Sequence, residues 1–180
     1  MGSDSAFGHP IYGDNKAPSN KFMARGKPIS EIVEYREDLD SRLDNWSEII
    51  KEDGFVYGSV IWSDKNPFIV GEVADSNDEF IAPEFWCPVN RETVGRASSC
   101  KDNNKKTVYV GDILKSFDKY FNKFLWEVVD NIDYIGIRAI GGMDEGVFIS
   151  WFPKNFEIVG NIFDDKDLFR LQNERSFNNC

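Results

Sequence analysis

Residues 107–151 decide the predicted fold, and they read TVYVGDILKSFDKYFNKFLWEVVDNIDYIGIRAIGGMDEGVFISW. The runs 107–110 and 134–140 are short, apolar and rich in β-branched residues, as is typical of strands. Between them, Asp112 is a suitable N-cap, and apolar residues spaced three and four apart predict a helix over 112–129. The stretch therefore predicts a strand, a helix and a second strand.

A second predicted helix precedes this stretch, over residues 30–52. Ser30 is a suitable N-cap, and acidic residues crowd the first turns, where the helix dipole favours them. Residues 31–53 hold nine acidic and three basic side chains, which gives a net charge of -6. One face of this helix is acidic and the other is apolar, and the apolar positions are Ile32, Tyr35, Leu39, Leu43, Trp46 and Ile50.

Further segments predict strands. Residues 55–62 and 68–74 are apolar runs joined by a hairpin-like connection. Residues 147–151 follow a glycine-rich turn, which predicts that they pair with the strand before that turn. Gly58 and Gly71 lie inside two of these runs, where a glycine predicts a bulge or the close approach of another element.

This order of elements predicts a single α+β domain over residues 29–171. We expect a mainly antiparallel sheet of about five to seven strands, packed against two main helices at about 30–52 and 112–129. Residues 1–28 are rich in Gly, Pro, Ser and Asn, and they predict an extended or flexible N-terminal arm. Residues 172–180 predict a frayed C-terminal tail.

The charge of the chain limits its partners. The 180 residues carry a net charge of -10, which disfavours attraction to nucleic acid or to an anionic membrane. The same charge suits a basic partner. No secretory signal and no apolar run of membrane-spanning length is visible in the sequence, so we expect a cytoplasmic protein.

Catalytic chemistry has little support in the sequence. The single histidine, His9, lies in the predicted arm, and three widely spaced cysteines indicate neither a zinc site nor a disulfide framework. Cys87 lies in an apolar Phe-Trp-Cys-Pro setting, which predicts an inert thiol. Cys100 precedes Lys101 but has no partner base that the sequence reveals. We therefore expect no catalytic residue, no metal site and no cofactor.

The concentration of acids near aromatic residues predicts a non-catalytic domain that binds a basic protein partner. A cytosolic inhibitor or immunity protein that neutralises a toxin, such as a nuclease, fits the charge and the size of the chain. The residues that we expect at the interface are Glu34, Glu37, Asp38, Asp44, Glu48, Glu72, Asp75, Asp78, Glu79 and Trp86.

Two alternatives remain open from the sequence. The order of elements is loosely similar to that of GAF or profilin-like sensor folds, which implies a small ligand held between the sheet and residues 75–106. The second alternative is a small enzyme that uses paired carboxylates or Cys100, for which two acids would face each other across a cleft. A mimic of DNA is a weaker hypothesis, because it needs acids spaced like phosphates along a surface.

Overall fold

The computed structural model describes residues 23–30, 46–119, 125–131, 134–140 and 148–168. Thirteen strands lie within these residues. They are β1 (Met23–Gly26), β2 (Val56–Ile61), β3 (Phe68–Val70), β4 (Val73–Ser76), β5 (Ile81–Pro83), β6 (Trp86–Pro88), β7 (Gly95–Lys101), β8 (Thr107–Tyr109), β9 (Asp112–Ser116), β10 (Leu125–Asn131), β11 (Tyr134–Ile140), β12 (Phe148–Ile149) and β13 (Phe156–Asn161).

Most of these strands form two antiparallel sheets. Sheet I has six strands in the order β6-β3-β2-β1-β7-β8, and sheet II has five strands in the order β12-β11-β10-β9-β13. Ala24 on β1 lies opposite Gly58 on β2 and opposite Arg96 on β7, so β1 is an inner strand of sheet I. Gly111 adopts a φ of 89° and turns the chain from β8 into β9, which joins the two sheets. The strands β4 and β5 form a separate hairpin.

The predicted α+β class is wrong, because the described residues form antiparallel sheets and almost no helix. Helical residues in the described part of the chain are few: they are Trp46–Ile49, the 3-10 turn Arg91–Thr93, Ser30 and residues 166–168. The helix predicted over 112–129 is replaced by β9 and β10, and residues 120–124 lie outside the described residues. Residues 31–45, which belong to the helix predicted over 30–52, also lie outside the described residues.

Side-chain alternation explains why the prediction of a helix over 112–129 failed. In β10 the side chains of Trp126 and Val128 are buried, while those between and beside them are less buried, which is the two-residue period of a strand. A spacing of four residues fits both a helix face and a strand face, because four is two strand periods. Asp112 is therefore the first residue of β9 and not a helix N-cap. The similarity to sensor folds relied on these two helices.

The strand predictions are confirmed more widely. β11 and β12 pair as predicted, with Ile137 opposite Ile149, and residues 141–147, which include the predicted turn, lie outside the described residues. The other predicted runs that contain strands are 55–62 (β2), 68–74 (β3 and the start of β4), 107–110 (β8) and 134–140 (β11).

Both glycines predicted to permit a close approach do so. A Cβ atom at Gly58 would lie 2.1 Å from the carbonyl oxygen of Val70, and one at Gly71 would lie 2.8 Å from the ring of Phe85. Neither position has space for a larger side chain, so glycine at these two positions fixes how closely the neighbouring segments approach.

The end of the predicted arm belongs to sheet I. β1 pairs with β2 on one side and with β7 on the other, and Pro28 forms a bridge with Val89. Residues 1–22 and the predicted tail, residues 172–180, lie outside the described residues. The arm therefore remains a prediction for residues 1–22.

Two apolar clusters form the core. One cluster lies on sheet II, and its members there are Leu114, Trp126, Val128, Ile137, Ala139 and Phe156. Its one member from sheet I is Val108 on β8. The second lies on sheet I and consists of Ala24, Val56, Ile69, Cys87 and Val89. Because β8 contributes to the cluster on sheet II, burial of apolar surface holds this edge of sheet I against sheet II.

Candidate functional site

The hairpin formed by β4 and β5 belongs to neither sheet. Its strands pair through Ser76 and Ile81, and the backbone N–H of Asn77 donates to the carbonyl oxygen of Phe80 at 3.0 Å. The side-chain oxygen of Asn77 accepts hydrogen bonds from the backbone N–H groups of Glu79 and Phe80. These bonds order the turn of the hairpin.

Residues 72–84, which we call the acidic hairpin, carry only negative charge. The segment contains five carboxylates and no Lys or Arg. All five are exposed, and they are Glu72, Asp75, Asp78, Glu79 and Glu84. Four of these five were predicted from the sequence as interface residues.

Large apolar side chains are exposed among these acids. Ile81 is 69% exposed, and Val73 and Phe80 are also exposed. Exposed apolar side chains that cluster beside polar groups are typical of surfaces that bind another protein. The acidic hairpin therefore combines charge with apolar contact area.

Trp86 extends this surface onto the edge of sheet I. It lies on the edge strand β6, is 50% exposed and packs edge-on against Phe68, with 6.3 Å between the ring centroids. A large aromatic side chain that a neighbour already holds in place loses little conformational entropy on binding. Trp86 is thus a suitable anchor for a partner.

The helical turn Trp46–Ile49 brings Glu48 close to the acidic hairpin. Glu48, Ala74 and Glu84 all line one cleft of about 640 Å³. The ammonium of Lys51 donates to the backbone carbonyl oxygen of Glu48 at 2.6 Å, and the Glu48 side chain is exposed. The structure therefore places Glu48 beside the acidic hairpin, which carries Glu72, Asp75, Asp78 and Glu79, and Trp86 lies two residues after that hairpin on β6. The predicted interface residues that lie outside the described residues are Glu34, Glu37, Asp38 and Asp44.

Neither described cysteine has the surroundings of a nucleophile. Cys87 is buried, and burial raises the pKa of its thiol to about 12, which is the direction that its apolar neighbours predicted. Cys100 is half-buried in β7, where its backbone N–H donates to the hydroxyl oxygen of Ser98 at 3.1 Å. His9 and Cys180 lie outside the described residues.

Two further features are absent from the described segments, namely a cluster of metal ligands and a membrane-spanning helix. These segments bring no three His, Cys, Asp or Glu side chains together in an arrangement that could hold a metal ion. Within the same segments, no helix has both the length and the apolar character needed to cross a membrane.

The sequence patterns did not indicate a buried ion pair between the two sheets. Nη2 of Arg25 on β1 lies 2.6 Å from Oδ1 of Asp112 on β9, and the two residues are 5% and 1% exposed. The guanidinium also lies 4.3 Å from the ring centroid of Phe55 and 5.1 Å from that of Tyr109. Burial raises the pKa of Asp112, whereas the charge of Arg25 and the backbone N–H of Tyr109 act in the opposite direction.

A cleft of about 510 Å³ lies against this ion pair, and we call it the Arg25 cleft. Asp53 and Tyr57 line it, and the Tyr57 hydroxyl donates to the Asp53 carboxylate. Burial and this hydrogen bond both raise the pKa of Tyr57. The available sequence signals were the short apolar run before Arg25 and the β-branched run before Asp112, but neither indicates that the two residues meet.

The chain matches no protein-family model and no curated protein sequence. Its function is therefore inferred from the geometry of these two sites.

Proposed function

We propose that the protein is a non-catalytic binding domain whose acidic hairpin engages a basic protein partner. One observation supports this proposal most directly: a hairpin outside both sheets exposes five carboxylates and three large apolar side chains. The carboxylates would steer a basic partner towards the hairpin. The apolar side chains would supply the contact area that holds the partner in place.

The carboxylates of the acidic hairpin are available to a partner. Each of the four ion pairs among the described residues involves an acid outside residues 72–84. A basic partner therefore does not need to displace an ion pair between these acids and the described part of the chain. The net charge of -10 adds a long-range attraction that acts before contact.

The biological role that we propose is that of a cytosolic inhibitor or immunity protein for a basic toxin, such as a nuclease. A nuclease binds the phosphates of its substrate through Lys and Arg, so its substrate groove is basic. An acidic hairpin with apolar side chains near its tip can compete with nucleic acid for such a groove. Charge complementarity and the apolar contacts support this choice of partner.

The test compares two double variants that lose the same charge. Asp78→Asn with Glu79→Gln neutralises the turn of the acidic hairpin, whereas Asp64→Asn with Glu92→Gln neutralises two exposed acids elsewhere. The partner is sought among the products of the neighbouring genes, and the affinity of the purified pair is measured by calorimetry at 50 and 200 mM salt. We expect the hairpin variant to bind about three- to tenfold more weakly at the lower salt concentration, mainly through slower association.

The control variant should bind like the wild-type protein. The hairpin variant should also lose part of the salt dependence, because two of the charges responsible for steering are absent. Equal affinities of both variants and the wild-type protein would show that the partner binds another surface.

A further inference from the structure

We propose that the Arg25 cleft binds a small oxyanion, namely the carboxylate or phosphate group of a small molecule. The cleft shares no residue with the acidic hairpin, and this proposal does not rest on binding of a protein partner. Its volume of about 510 Å³ is in the usual range of small-molecule sites, which is roughly 300–1,000 Å³.

Arg25 has hydrogen-bonding capacity that its ion pair does not use. Nη2 of Arg25 lies 2.6 Å from Oδ1 of Asp112, and the carbonyl oxygen of Val110 lies 3.5 Å from the same nitrogen. The Nε–H of Arg25 is buried and has no acceptor among the described residues. Most buried donors in folded proteins are paired, and an unpaired one is costly. A bound oxyanion would supply the acceptor after a small rotation of the guanidinium.

Lys106 supplies a second positive group to the cleft. Lys106 lines the cleft, and its side chain forms no ion pair within the described part of the chain. The backbone N–H of Lys106 donates to the buried carboxylate of Asp102 at 2.9 Å. Since Asp102 also accepts from the backbone N–H groups of Asn104 and Ile158, the loop that carries Lys106 is ordered before any ligand binds.

The carboxylates of the cleft are already satisfied. The two oxygens of Asp53 accept hydrogen bonds from the Phe55 backbone N–H and from the Tyr57 hydroxyl. The two oxygens of Asp112 accept from the Arg25 guanidinium and from the Tyr109 backbone N–H, the latter at 2.8 Å. A cation would compete with these bonds, whereas an anion would complete the bonding of Arg25 and Lys106.

The local charge of the cleft does not oppose an anion. Its two basic side chains, Arg25 and Lys106, balance its two acids, Asp53 and Asp112. The overall charge of -10 weakens the affinity for any anion, so binding should be measured at constant ionic strength. The cleft is larger than an inorganic phosphate ion, and Tyr57 and Ile158 line it as well. We therefore expect organic anions to bind more tightly than inorganic phosphate.

The experiment uses nuclear magnetic resonance of the ¹⁵N-labelled protein at pH 7 and constant ionic strength. The probes are inorganic phosphate, phenyl phosphate and benzoate. The Nε–H signal of Arg25, assigned by its loss in Arg25→Lys, should shift in a saturable manner. The amide signals of Thr107 and Tyr109 give a second readout, which does not require Arg25→Lys to fold.

Two lysine variants separate a site from a general effect of charge. Lys106→Ala should weaken binding about tenfold, because it removes one charge-assisted hydrogen bond. Lys101→Ala loses the same charge from an exposed residue outside the cleft, and it should bind like the wild-type protein. A response to phenyl phosphate alone would identify a phosphate site, and a response to benzoate alone would identify a carboxylate site.

Two results would overturn the proposal. One is the absence of a saturable shift at Arg25, Thr107 and Tyr109 with all three probes. The other is an equal loss of affinity in Lys106→Ala and Lys101→Ala, which would indicate nonspecific attraction. Because no protein partner is present, either result would leave the proposal for the acidic hairpin unaffected.

Discussion

At the scale of single residues, Arg25 and Asp112 form a buried ion pair, and its burial makes the stability of the fold sensitive to both residues. Two charges taken out of water are stable only if each keeps its partner. The rings of Phe55 and Tyr109 also pack against the guanidinium, which adds cation–π attraction to the ion pair. Removal of both charges should therefore destabilise the protein less than the two single removals added together.

A double-mutant cycle tests this coupling. We expect Arg25→Met alone to lower the free energy of unfolding by about 3–5 kcal/mol, because Asp112 is left buried without its partner. The combination with Asp112→Asn should be less destabilising than the sum of the single changes, with an interaction free energy of about 2–3 kcal/mol. Urea denaturation monitored by tryptophan fluorescence measures all four proteins. Additive effects would mean that the two residues act independently.

Residues whose environment depends on their immediate neighbours were predictable. The inert thiol of Cys87 followed from the apolar residues beside it, and burial in the structure agrees. The pairing of Arg25 with Asp112 was not predictable, because it depends on two strands that are far apart in the sequence and belong to different sheets. No local pattern marks such a contact.

At the scale of the elements, close approach between β2 and the end of β3 depends on Gly58. Replacement by Ala would put a methyl group 2.1 Å from the backbone oxygen of Val70, and the backbone cannot move away cheaply. We expect Gly58→Ala to lower the free energy of unfolding by about 1–3 kcal/mol. Thermal denaturation with circular dichroism detection provides the measurement.

Gly71→Ala is the matched control for this substitution. Its new methyl group would meet the ring of Phe85, which is a side chain and can rotate, so the loss should be smaller. If Gly71→Ala proved as destabilising as Gly58→Ala, the rigid carbonyl of Val70 would not be the cause.

Some strands were predictable from the sequence and others were not. Strands with continuous apolar or β-branched runs, such as β8 and β11, were predicted correctly. β9 and β10 were predicted as one helix, because their apolar residues recur at a spacing of four. The acids at Asp75, Asp78 and Glu79 were predicted as a cluster, but only the pairing of β4 with β5 shows that they lie on a separate hairpin.

At the scale of the whole molecule, charged pairs connect sheet I with sheet II and with the segment that follows it. Arg25 pairs with Asp112, and Arg96 on β7 forms two hydrogen bonds of 2.6 Å with Asp130 on β10. Lys27 follows β1 and lies 2.5 Å from Asp164, which follows β13. Acidification should therefore weaken the connection between the two sheets.

The pH dependence of stability has a definite sign at Asp164. Partial burial alone would raise its pKa, but hydrogen bonds from Lys27 and Asn161 and the charge of Lys27 hold the pKa below its usual value. Because the folded-state pKa is the lower one, this carboxylate stabilises the fold above about pH 4, the value in the unfolded chain. That contribution is lost as the pH falls through the folded-state pKa.

Asp164→Asn should therefore be less stable than the wild-type protein at pH 7, by about 0.5–1 kcal/mol for this partly exposed pair. The difference should shrink as the pH falls below about 4, where both states of the wild-type carboxylate become protonated. Denaturation in urea between pH 2.5 and 7 measures it. Lys27→Met should reproduce the effect by removal of the partner, and a difference that is constant with pH would contradict this assignment.

The position of β1 has a consequence for the order in which the chain folds. Residues near the start of the chain fill the gap between β2 and β7, and Ala24 meets Arg96 only after most of sheet I has been synthesised. Contacts between distant residues require the closure of long loops, so folding should take roughly milliseconds to seconds, as is typical of folds dominated by such contacts. Until β1 is in place, β2 and β7 each present an open edge, and such edges readily pair with another chain. We therefore expect β1 to protect the newly made protein from aggregation as well as to complete sheet I.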